Sequence, residues 1–110
     1  MTYQHKNLAQ GRWSQLPLIE QMVNIGSEVE RALNWREKNN AVYCQQAFGR
    51  ALELIDLTLG NLKTFPQLKE LARARESLVD SFFGDNQFMS SEKSLRKYFS
   101  CFTYAVRKNY

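Results

Sequence analysis

Histidine is almost missing from this chain: His5 is the single copy, in a polar stretch ahead of the first apolar segment. Nothing around it fixes a geometry, so no Ser/His or Cys/His nucleophile–base pair can be assembled. Cysteine is scarce as well. Cys44 and Cys101 fall on separate predicted helices, and two thiols with one imidazole cannot complete a structural zinc site at any recognised spacing. Both are expected to be reduced, one buried and one at the edge of a core. Also missing are a glycine-rich phosphate loop, Cys-x-x-Cys and His-Glu-x-x-His. Carboxylates stand singly, except for Glu28 and Glu30, which point to different sides of one predicted helix. A catalytic centre is not expected, and neither is a metal or other cofactor.

No apolar run approaches the ~18 residues that span a bilayer. The segment from Met1 to Gln15 lacks the apolar stretch and small-residue cleavage site of a signal peptide. No membrane partner is expected, and the expected location is cytoplasmic. Strand alternation, linkers and low-complexity segments are absent too.

The 110-residue chain is 44% hydrophobic and 24% charged, enough for one globular domain with a core of its own. We read residues 1–13 as a polar leader and 14–110 as a single all-α domain, an up-down bundle of four main helices. The first helix begins near Ser14, with Pro17 in its first turn, and reaches about Lys38. Its apolar arc contains Gly26, a residue that weakens a helix by about 1 kcal/mol against alanine. Close approach of a neighbouring helix would compensate. Asn39-Asn40 breaks the chain and caps the second helix, which ends at Gly60, placed for a left-handed cap with Leu62 following it. Thr64 and Gln67 match a capping box for the third helix, with Pro66 in its first turn, and Gly84 closes it. Asp85-Asn86 continues that turn, and Ser90 or Ser91 caps a fourth helix with Leu95, Tyr98, Phe99, Phe102 and Val106 as its buried stripe. Starts near 15, 41, 65 and 91 are evenly spaced, but the helices do not repeat one another.

The second helix carries two apolar faces. At about 100° per residue, Ala41, Cys44, Phe48, Ala51, Leu52, Ile55 and Leu59 form one stripe, while Tyr43, Leu54 and Leu57 gather opposite. A second face implies either a central place in the bundle or a contact with another chain. Taken as an interface, Tyr43, Leu54 and Leu57 make a homo-oligomer, most simply a homodimer, or a complex with a partner protein. A non-catalytic interaction module is therefore the leading functional expectation.

Two charge patterns stand apart. Arg75 falls inside the third helix's apolar stripe, among Leu68, Leu71, Ala72, Leu78, Val79 and Phe82. A buried arginine needs a carboxylate, and Glu30 or Glu37 on the first helix is the expected partner. The pair is either structural or part of a pocket that takes an anion such as phosphate. After Glu92 no acidic residue occurs, while Lys93, Arg96, Lys97, Arg107 and Lys108 do, with Tyr104 among them. This is either a solvated helix face that complements the helix dipole or a surface for RNA or a nucleotide.

The run Tyr43-Cys44-Gln45-Gln46-Ala47-Phe48-Gly49-Arg50-Ala51-Leu52 resembles the helix of HEPN-type domains that carries a Gln-Gln-Ala core. The resemblance implies a compact helical bundle, often dimeric, of a kind that pairs with small nucleotidyltransferases or cuts RNA. Active members carry an arginine followed four to six residues later by histidine. Here His5 precedes every arginine, and only Lys108, Asn109 and Tyr110 follow Arg107. The resemblance thus implies binding of RNA, a nucleotide or a partner protein without nuclease activity. Ala47-Phe48 and Ala51-Leu52-Glu53-Leu54 also resemble the second helix of a tetratricopeptide repeat, but one helix makes no array.

Overall fold

Four helices and no strand make up the described part of the chain, residues 11–84 and 92–108 of a computed structural model. They are α1 (Leu18–Glu37), α2 (Ala41–Leu59), α3 (Phe65–Phe83) and α4 (Glu92–Lys108), preceded by a 3-10 turn over Trp13–Gln15. His5, most of the expected leader, the Asp85-Asn86 turn and the Ser90 or Ser91 cap lie outside the described residues. Among the described residues no helix is long and apolar enough to cross a membrane.

α1 and α2 form the central pair. α4 lies on α1, while α3 packs chiefly on α2. On α1 the residues Met22, Ile25, Val29, Ala32 and Leu33 recur at three- and four-residue steps and are all buried, the spacing of one helical face. α2 faces α1 on one flank and α3 with the 3-10 turn on the other, which accounts for its two apolar faces without a second chain. Leu54 is only 2% exposed inside the core, and Leu57 packs against it. Of the three expected interface residues, Tyr43 alone is on the surface, 48% exposed and edge-on to Trp35 at 4.8 Å.

The helix ends differ from the sequence expectation in instructive ways. α1 starts at Leu18, not near Ser14, with Pro17 extended ahead of it as the N-cap. The preceding turn is held instead by Trp13, which is buried. Its indole Nε1 donates to Thr58 Oγ1 at 2.9 Å, and its carbonyl accepts from Gln21 Nε2 at 2.9 Å. Trp13 therefore belongs to the core and not to a polar leader. At the first break Asn39 adopts φ 59°, a left-handed conformation that asparagine tolerates better than most residues. Asn40 Oδ1 then accepts from the Tyr43 N–H at 3.1 Å, the expected cap.

Gly60 stays right-handed, with φ −66°. Its N–H bonds Asp56 O, and Asn61 Nδ2 caps Leu57 O at 2.9 Å, so no left-handed glycine is needed. Thr64 makes no side-chain cap bond to α3, although Pro66 does sit in the first turn. On α4, Leu95 and Phe99 are buried, while Tyr98 and Phe102 are half-buried against the same core.

Candidate functional site

The burial of Leu95 and Phe99 against α1 fixes how α4 is turned. Lys93, Lys97, Tyr104, Arg107 and Lys108 consequently stand on its exposed side, together with Ser100 and Cys101. Tyr104 is 69% exposed. None of Lys93, Lys97, Arg107 and Lys108 is in an ion pair with a described residue. Cys101 is exposed on this face, not at the edge of the core, and Cys44 is buried as expected. Burial pushes the Cys44 thiol pKa up, and the nearby Arg36 charge opposes that only in part.

Arg96, expected on the basic face, is turned the other way. It donates to Glu30 Oε1, to Asn34 Oδ1 at 3.2 Å and to Glu37 Oε1 at 3.0 Å, clamping α4 to the polar side of α1. Next to it Arg36 donates through Nη2 to Glu92 Oε1 at 3.1 Å and lies over the Phe82 ring at 4.4 Å. One arginine of α1 thus touches both α4 and α3. Partial burial would raise the Glu92 pKa. Hydrogen bonds from Arg36 and the charges of Arg36 and Arg96 outweigh it and hold the carboxyl below its usual value.

Arg75 does not meet Glu30 or Glu37. Its Nε donates to Asp56 Oδ1 on α2 at 2.8 Å, and its side chain is 37% exposed. The expectation failed because α3 is seated shallowly: only Leu71 and Leu78 of that helix are buried. Leu68 is exposed, and position 75 lies at the margin of the contact. Packing on α2 also brings Arg75 to an α2 carboxylate, leaving those of α1 to α4. The buried carboxylate of α1 is Glu28, whose two oxygens take Arg31 Nη1 and Arg50 Nε, each at 3.0 Å.

Between α3 and α4 runs an open groove of about 550 Å³. Lys69 and Arg73 form its α3 lip, Leu95 and Phe99 its apolar floor, and Glu70 and Tyr98 stand within it. Tyr98 Oη donates to Glu70 Oε1 at 3.4 Å. Burial first, then the Glu70 charge and that hydrogen bond, push the Tyr98 pKa up to about 12. Lys69 and Arg73 are exposed and in no ion pair with a described residue.

Lys69, Glu70, Arg73 and Tyr98 were not singled out from the sequence as groove residues. A spacing of 69 to 73 gives one side of α3, but which helix that side faces depends on packing. Among the described residues no cluster of three or more histidine, cysteine, aspartate or glutamate side chains could hold a metal ion. Compared with protein-family models, curated proteins and solved structures, the chain matches none.

Proposed function

We propose that the protein is a non-catalytic RNA-binding module whose working surface is the exposed face of α4 with the α3 lip of the groove. The observation that carries this reading is the segregation of charge. Arg31, Arg36, Arg50, Arg75 and Arg96 are spent on carboxylates of the bundle itself. Lys93, Lys97, Arg107 and Lys108 instead share an exposed helix face with Tyr104 and no carboxylate. Cations in no ion pair with a described residue are available to bind phosphates by displacing condensed counterions, and an exposed aromatic among them offers a base a stacking surface. The local resemblance of residues 43–52 to a HEPN helix points to the same ligand class.

The test is a salt titration against mixed single-stranded RNA oligomers. Affinity should fall steeply with salt, and the Lys93→Ala, Lys97→Ala, Lys108→Ala triple variant should flatten the log–log slope by about 2, or ~0.7 per lost phosphate contact. Absence of binding at low salt, or an unchanged slope in the triple variant, would overturn the reading.

Self-association is a second reading. Val42 and Phe83 are 63% and 62% exposed, and the α2 start and α3 end that carry them meet around one cavity. Large apolar side chains left in water favour association. Sedimentation at micromolar concentration tests it, and a strict monomer would end the dimer reading while leaving RNA binding intact.

A further inference from the structure

We propose that the groove between α3 and α4 is a binding site for one unstacked, amino-bearing base of single-stranded RNA, with cytosine favoured over uracil. The inference rests on the RNA-binding reading above and specifies where a base goes. A groove of about 550 Å³ lies within the range of ~300–1,000 Å³ that small-molecule sites occupy. Two kinds of lining match two parts of a nucleotide, its base and its phosphates. Leu95, Phe99 and the Tyr98 ring give an apolar, aromatic floor for the base. On the lip, Lys69 and Arg73 carry exposed charge in no ion pair with a described residue, placed for the phosphates on either side of that base.

Glu70 supplies the discrimination. Its carboxylate can only accept hydrogen bonds, and its one partner among the described residues is the Tyr98 hydroxyl at a long 3.4 Å, so acceptor capacity remains for a base. The 4-amino group of cytosine donates to a carboxylate. Uracil presents a carbonyl oxygen at that position, which a carboxylate repels. Duplex RNA keeps its bases stacked and their edges in grooves that side chains read poorly, so a duplex can use the basic face of α4 but cannot fill this groove.

The experiment measures binding of the full chain to fluorescent oligocytidylate, to oligouridylate of equal length and to a duplex RNA, at one low salt concentration. We expect oligocytidylate to bind about tenfold tighter than oligouridylate, one well-placed hydrogen bond to a charged group being worth about that factor. Glu70 is exposed, and circular dichroism will verify that its variants fold. Glu70→Ala should bring the ratio to about one, and Glu70→Lys should reverse it by donating to the uracil carbonyl. Equal binding of cytosine and uracil oligomers by the unmodified protein, or a ratio untouched by both variants, overturns the groove site and leaves the basic-face reading standing. Equal affinity for duplex and single strands overturns it also. No binding of any oligomer overturns both.

Discussion

Phe99 of α4 rests directly on Gly26 of α1: a Cβ built on Gly26 would stand 2.9 Å from the Cβ of Phe99. The contact explains a glycine in mid-helix, since only a residue without a side chain lets the two backbones come this close. It also explains why α4 is turned with its cations outward, because Phe99 cannot rotate away from α1 without vacating the core.

A first prediction follows for Gly26→Ala. Helix propensity favours the alanine by about 1 kcal/mol, while overpacking a well-filled contact costs about 1–3 kcal/mol. The opposing atom is the Cβ of Phe99, tethered to backbone and unable to swing aside, so the steric term should win. Urea denaturation should show a net loss of up to about 2 kcal/mol. A gain in stability would mean that α4 is not seated on Gly26.

The need for a close neighbour at Gly26 was legible from the sequence, as were four helices, the Asn40 cap and the double-faced α2. What was not legible depended on which helices touch. Trp13 sits in a polar segment with no helical period, and its burial depends on packing against α2, where its indole meets the Thr58 hydroxyl 45 residues on. Arg96 looked like one more cation of a basic face, because Glu30 and Glu37 become its partners only once α4 lies on α1. Leu54 fitted either a central helix or an interface, because an angular projection of α2 does not show that α3 and the 3-10 turn also pack on that helix. The basic stripe of α4 was readable, whereas the facing lip of α3 depends on how α3 and α4 are placed around the groove.

Two arginines give a second prediction because their settings differ. Arg75 and Asp56 are both well exposed, and such pairs contribute only about 0–1 kcal/mol. Arg50 meets Glu28, whose side chain is 10% exposed, and hydrogen bonds to a charged group in such a site are worth about 1.5–3 kcal/mol. Arg50→Ala should therefore be the more destabilising by chemical denaturation, although Arg31 remains to hold one Glu28 oxygen. Equal effects would contradict the placement of Glu28 between α1 and α2.

The third prediction concerns pH and follows from one carboxyl and one phenol that shift in opposite directions. Burial raises the Glu92 pKa, but its hydrogen bonds from Arg36 and the charges of Arg36 and Arg96 more than offset this, so the folded value lies below the ordinary 4.5. A depressed carboxyl stabilises the fold above its unfolded pKa, and that stabilisation is lost as pH falls through the folded value. Tyr98 is raised from 10.0 to about 12 by burial first and by Glu70 second. A raised group has its stabilisation in full below the unfolded value and loses it as pH rises from about 10 to about 12. Stability should therefore form a plateau with an acid edge set partly by Glu92 and an alkaline edge set partly by Tyr98. Thermal melts across pH will measure both edges. Glu92→Gln should lower the plateau while softening only the acid edge, because a neutral side chain at 92 no longer gains charge above pH 4.5. Tyr98→Phe should soften only the alkaline edge, and the tyrosine absorbance change near pH 12 should lose one phenol in that variant. An alkaline edge unchanged by Tyr98→Phe would show that the Tyr98 hydroxyl is solvated, and the pairing with Glu70 across the α3–α4 groove would fall with it.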